Sequence, residues 1–268
     1  MPRFRFECLY AGANFHGWQK QSQVRTVQDE LETALNSFFG CSLKIYGAGR
    51  TDRGVNSLGL SVHFQLSPEQ YDNFGLSLER WPEIINRRLP DDVRIENIRQ
   101  VDENFHARHS ASGRLYGYRF LPGGNKFSSL QPQAGWVCES YSYGRARRTV
   151  SLLNGQVPTE LFSGSGGSNY QAENWPVSLC LRQRADEIWL LVYAPSFRYL
   201  MVRCIARAVQ EVASGIWKLE DLERLLDRQN GGLAPAPPQG CFFLQAFYQN
   251  TAFEAIFLQG RQKINKYL

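Results

Sequence analysis

The chain has 268 residues, 43 % hydrophobic and 21 % charged, which is enough apolar material for a substantial core and excludes wholesale disorder. No run of about 18 apolar residues occurs, and the opening MPRFRFECLY lacks the hydrophobic core of a signal peptide, so a cytoplasmic protein without membrane spans is expected. The net charge is +5, and only six of the 30 basic residues are Lys, leaving 24 Arg, a bias toward the planar donor fork that suits phosphates and can stack on bases.

Taken in order, RFRFECLYAG alternates like a strand and leads into NFHGWQKQSQVRT. In TVQDELETALNSFFG, Thr26 is placed as an N-cap, Val27, Leu31, Leu35 and Phe38 recur at helical spacing, and Gly40 stops the helix. SLKIYGAGRTD reads as a short strand entering a glycine-rich loop, and LSVHFQL as the strand after it. A helix over LSLERWPEIINRRL and a strand over DDVRIENIRQV close the first half.

The second half opens on the strand GRLYGYRFL, followed by a basic helix, YGRARRTVSLLNG. FSGSGGSNY (162–170) has the composition of a loop. VSLCLRQRADEIWLLVYA reads as a hairpin turning near Ala185 and Asp186, and FRYLMVRCIARAVQEVASG as a helix ending at Gly215. The short helix LEDLERLLD and the loop GGLAPAPPQG lead to a last strand, CFFLQAFYQ, while the polar tail QGRQKINKYL has no assignment. Strand, helix, strand, strand, helix, strand, repeated, predicts an α+β protein of two ferredoxin-like units, residues 1–106 and 107–268. The six cysteines form no C-x-x-C pair and the four histidines are not spaced with them as ligands, so buried thiols and no metal site are expected.

Three stretches could carry chemistry. In GAGRTDRGVNSLG, Gly47 to Gly59, the single carboxylate Asp52 sits between Arg50 and Arg53. That pattern serves a structural ion pair, or a carboxylate that a guanidinium keeps ionised in a partly dry site, where it could act as nucleophile or base. Tyr116 and Tyr118, two apart on a strand, share a face, either as core or as a surface on which RNA bases stack. Tyr199, Arg203 and Arg207 share a helix face distinct from that of Met201, Cys204, Ile205, Ala208 and Val212, which by periodicity alone leaves Arg203 in solvent.

Together these stretches resemble the tRNA pseudouridine synthase A family. GAGRTDRGVNSLGLSVHF is similar to its G-A/S-G-R-T-D-A-G-V-H-A-x-G-x-V-x-x-F segment, and NFHGWQKQSQVRTVQDELETAL to its Y-x-G-W-Q-x-Q and T-V-Q-x-x-L-E-x-A-L segments. NFHARHSASGRLYGYRF resembles D-F-H-A-R-F-S-A-x-x-R-x-Y-x-Y. FRYLMVRCIARAVQEVASG and APAPPQGCFFLQAFY match two further motifs, in the family's order, across residues 4–248. The resemblance implies mainly antiparallel, RRM-like sheets merging around a central basic cleft, and a cytoplasmic homodimer acting on tRNA without cofactor or metal. It implies that Asp52 attacks the target uridine, on the uracil ring or on the sugar. Tyr116 stacks on the flipped base and removes the C5 proton, Arg203 pairs with Asp52, Arg50 helps extrude the nucleotide, and Cys241 lies against the base. The implied substrates are uridines 38 to 40 of the anticodon stem-loop. The alternatives are a protein that binds or folds RNA on the same scaffold without catalysis, or a synthase with shifted site specificity. Arg53 replaces the family's Ala, Asn56 its His, Ala11 its Asp and Cys241 its Leu, and LFSGSGGSNY lacks its second Phe, the marks of a divergent member.

Overall fold

The computed structural model describes residues 1–123, 135–164, 174–228 and 232–268. Most of the loop expected over 162–170, and the missing second Phe with it, lies outside the described residues. The chain divides into two compact units, Met1–Ser112 with Phe243–Asn250, and Gly113–Phe242 with Thr251–Leu268.

The first unit contains β1 (Arg3–Tyr10), α1 (Val27–Phe39), β2 (Tyr46–Gly47), β3 (Asn56–Gln65), α2 (Pro68–Asp72), α3 (Trp81–Asn86) and β4 (Val93–Val101). The mainly antiparallel sheet has β1 between β4 and β3, and β2 as a two-residue partner of β3. Alternation in β1 and β3 sends Phe4, Phe6 and Phe64 to one face. There Leu31 and Leu35 of α1 and Trp81 of α3 complete the core, with the Phe4 ring 5.0 Å from Trp81 and 5.4 Å from Phe64. Gly40 ends α1 in the left-handed conformation, φ +66°, as expected. Thr26 does stand at the N-cap, but its side chain makes no capping bond there.

Between Cys8 and Leu9 the register of β1 against β3 slips by one residue, because Gly59 is accommodated as a bulge. The Ser57 hydroxyl donates to the Cys8 carbonyl at 2.9 Å and accepts from the Gly59 and Leu60 amides, which satisfies the groups that the bulge removes from the ladder.

The second unit contains β5 (Gly113–Pro122), β6 (Trp136–Cys138), α4 (Tyr143–Leu153), β7 (Gly155–Pro158), α5 (Thr159–Phe162), β8 (Asn174–Arg184), β9 (Glu187–Ala194), α6 (Met201–Ser214) and α7 (Leu219–Arg228). Strand order β5-β9-β8-β7 is antiparallel throughout, and β6 adds to β5 in parallel. The β8–β9 hairpin turns at Ala185 and Asp186, with Ala185 at φ +48°. The last strand, β10 (Cys241–Phe247), begins in this unit, and from Phe243 onward it belongs to the first, where it borders β3. The unassigned tail is a helix, α8 (Phe253–Tyr267), which buries Ile256, Gly260 and Ile264 at four-residue intervals. None of the helices among the described residues is long and apolar enough to cross a membrane.

Both faces of β5 are buried, so of the two readings of the tyrosine pair the packed strand is the one found. Tyr118 is fully buried and Tyr116 is 8 % exposed. On the opposite face, Arg119 is buried in an ion pair with Glu187, whose other carboxylate oxygen accepts from the Trp189 indole. A desolvated guanidinium requires such a partner.

Candidate active site

In the first unit, the loop from Gly47 to Val55 joins β2 to β3 and carries Arg50 and Asp52. It is strapped down by the segment after β1. The Trp18 amide donates to the Thr51 carbonyl at 3.1 Å, and the Thr51 hydroxyl meets that of Tyr10 at 2.7 Å, both buried. A β-carbon on Gly17, at φ +93°, would fall 2.7 Å from the Thr51 carbonyl oxygen, and one on Gly47 would fall 3.0 Å from the Trp18 ring. The glycines therefore bring two backbone segments into contact. The departures take part in this strap. Asn56, in place of the family's His, accepts the Gly12 amide at 2.9 Å, and the Ala11 amide donates to the Asp92 carbonyl at 3.0 Å. Asp92 in turn receives both terminal nitrogens of Arg25, at 2.7 and 2.8 Å, which hold its carboxyl below the usual range, while the guanidinium lies 4.2 Å over the Phe15 ring. On this rigid base Asp52 is half-buried, and its carbonyl accepts the Val55 amide. Arg50 and Arg53 are exposed.

In the second unit, β5 presents Tyr116, whose ring meets that of Phe197 edge-on, 5.0 Å between centroids. Phe197 leads into α6, and Leu200 at its N-cap is left-handed, φ +62°, a conformation that costs a non-glycine residue about 1 kcal/mol or more. The turn sets Arg203 half-buried rather than in solvent. Its Nε donates to the Ala236 carbonyl at 2.7 Å while its own carbonyl accepts the Ala236 amide at 3.0 Å. One residue on, the Pro237 carbonyl accepts the Tyr118 hydroxyl at 2.7 Å, and a β-carbon on Gly240 would fall 2.6 Å from the Tyr118 ring. Burial drives the Tyr118 hydroxyl well above its ordinary pKa, so it is a permanent donor. The segment Ala236–Cys241 thus runs along Tyr118 and Arg203 and delivers Cys241, 2 % exposed, to the start of β10.

The structure therefore groups Arg50 with Asp52 on one loop of the first unit, and Tyr116, Arg203 and Cys241 around one strand–helix junction of the second. The supporting residues Trp18, Asn56, Phe197 and Ala236 carry no chemical signal in the sequence. Trp18, Phe197 and Ala236 act through packing or backbone atoms, and Asn56 through its side-chain carbonyl.

A family model described as tRNA pseudouridine synthase matches residues 8–110 and 171–249. The chain belongs to the tRNA pseudouridine synthase family. It is similar to proteins named tRNA pseudouridine synthase A from Methylocella silvestris, 34 % identical over 262 residues and covering 94 % of this chain and 100 % of that one, and from Dictyoglomus thermophilum, 33 % identical over 251 residues, covering 92 % and 100 %. One from Acetivibrio thermocellus is 30 % identical over 244 residues, covering 89 % and 96 %. The first segment matched to the family contains Arg50 and Asp52, and the second contains Arg203 and Cys241. Tyr116 falls between them.

Proposed function

We propose that this protein isomerises uridine to pseudouridine in tRNA, with Asp52 as its catalytic carboxylate. The observation that carries this reading is the strapped loop. It holds the carboxylate of the family's G-R-T-D motif half-buried on a rigid backbone, as a nucleophile must be held.

In this reaction Asp52 adds to the uridine, at the uracil ring or at the ribose, and the N1–C1′ bond breaks. The base turns, C5 bonds to C1′, the C5 proton leaves for solvent, and the carboxylate is released unchanged. Reactant and product are isomers, so the overall reaction consumes no oxidant, reductant or cofactor. Tyr116 stacks on the extruded base and takes the C5 proton, its ring angle set by Phe197. Arg203 pairs with Asp52 and keeps it anionic. Arg50 fills the space that the flipped nucleotide leaves, an extrusion costing a few kcal/mol, and Cys241 lies against the base. We assign the anticodon stem-loop, nucleotides 38 to 40, as the target, and a cytoplasmic homodimer as the working form. These assignments rest on the family's motifs as they stand in this chain.

The test is incubation of the purified chain with tRNA carrying tritium at uridine C5. Release of tritium to water, with pseudouridine in the product, is expected. Tight tRNA binding with no release would overturn the catalytic reading in favour of an RNA-binding protein on the same scaffold.

A further inference from the structure

Beside the Asp52 loop, the first unit carries a depression of about 590 Å³ whose wall includes Lys44, Tyr46, Arg50, His106, Arg108 and His109. Its charge is strongly one-sided. Lys20 and the Lys and Arg residues just named face one carboxylate, Glu32, which is itself occupied by the Gln28 amide at 3.0 Å and Lys20 at 3.6 Å. Lys44 and Arg50 make no hydrogen bond or ion pair among the described residues, so two cations stand ready for an anion from outside.

The ring system beside them is rigid. Tyr46 is 48 % exposed, and one face of it stacks on the buried His63 at 5.1 Å and 23°. His106 lies 5.5 Å from Tyr46 and 4.3 Å from His109. His106 Nδ1 accepts the amides of Arg108 and His109, at 3.1 and 3.3 Å, which leaves Nε2 to carry the ring proton. His109 stands where the family pattern has Phe. A half-exposed ring backed by a buried imidazole, with unpaired cations alongside, has the two parts of a single-stranded RNA subsite, a stacking platform and a phosphate contact.

We propose that this depression binds a nucleotide of the tRNA other than the one isomerised, its base stacking on Tyr46 and its phosphate lying against Lys44. The proposal rests on tRNA being the substrate. It adds a specificity-determining contact outside the Asp52 loop, on a wall to which Gly49 and Arg50 of that loop also contribute.

The experiment compares Tyr46→Ala and Lys44→Ala with the wild-type full chain, using an unmodified tRNA transcript. Filter-binding Kd is measured across a potassium chloride series, and tritium release is measured at saturating tRNA. Tyr46→Ala is expected to weaken Kd about tenfold with an unchanged salt slope. Lys44→Ala is expected to reduce the salt slope by roughly 0.7 to 0.9. Turnover at saturation stays within about twofold for both, since neither touches the reacting atoms. Lys44 is exposed, so its variant decides the matter if Tyr46→Ala fails to fold. Wild-type Kd and slope in both variants, with wild-type chain converting uridine, overturn the subsite alone. Weakened binding by the variants of a chain that converts no uridine supports the subsite and overturns the catalytic reading.

Discussion

The Tyr118 hydroxyl donates to the Pro237 carbonyl at 2.7 Å, one residue beyond the carbonyl that accepts Arg203 Nε. The strand that bears Tyr116 and the helix that bears Arg203 therefore hold the same six-residue stretch, Ala236 to Cys241. Ala236 holds Arg203 twice, its carbonyl accepting the side-chain Nε and its amide donating to the Arg203 backbone carbonyl.

Tyr118→Phe removes one hydroxyl and leaves the Pro237 carbonyl without its donor. The expected cost is about 1–2 kcal/mol of unfolding free energy, read from urea midpoints at constant m. Because the stretch also places Cys241, kcat should fall more than KM rises. A variant with wild-type midpoint and wild-type kcat would show that the bond positions nothing.

Asp52→Asn keeps the size of the side chain and removes the charge. Turnover by tritium release should drop by roughly 10³-fold or more, while tRNA Kd changes by less than about threefold. The split between the two readouts matters, since loss of both would indicate a misfolded loop. Undiminished turnover would remove Asp52 from the mechanism.

Much of this was legible in the sequence, for identifiable reasons. The helix over 201–214 buries the residues that its spacing selects, and the β8–β9 hairpin turns where Ala185 and Asp186 predict, because both patterns are local. Misread features involve partners distant in the chain. Tyr118 stayed open between core and surface because nothing near it in sequence announces that Gly240 and Pro237 cover it. Gly260 and the polar residues around it hid α8, although the buried Ile256 and Ile264 keep helical spacing through that glycine. The strap from Gly12, Gly17 and Trp18 to Thr51, Val55 and Asn56 is built mostly from main-chain atoms, with the Asn56 side chain as acceptor. Its only trace in the sequence is the glycines that permit it.

His63 supplies the pH dependence. It is buried against Tyr46, its Nδ1 accepts the Ala107 amide at 3.1 Å, and it also bonds the Tyr46 backbone. Burial first, then the neighbouring His106 and Arg3, bring its pKa down to about 4 from an ordinary 6.5. The unfolded chain therefore takes up this proton at higher pH than the folded one. Stability should fall as pH drops through the window from 6.5 to 4 and level off below it, by at most roughly 3 kcal/mol. His63→Asn retains an acceptor for Ala107 and should be less stable at neutral pH, with most of that slope gone. Urea midpoints at pH 4.5, 5.5, 6.5 and 7.5 measure it, and an unchanged slope in the variant would assign the effect to other groups.

Two glycines separate steric need from backbone conformation. A β-carbon on Gly12 would fall 2.2 Å from the Val55 carbonyl oxygen and 2.7 Å from the Gly54 carbonyl carbon, and main chain facing main chain has no rotamer with which to yield. The same Gly12 amide donates to Asn56, so a shift of Gly12 also opens that bond. Gly12→Ala should cost more than about 3 kcal/mol and reduce kcat through the displaced Asp52 loop. Gly40, at φ +66°, has open space where its β-carbon would stand, so Gly40→Ala pays only the left-handed backbone cost, about 1 kcal/mol, with turnover unchanged. If the two alanine variants lose equal stability and keep equal turnover, close approach of the strap to the loop contributes nothing to catalysis.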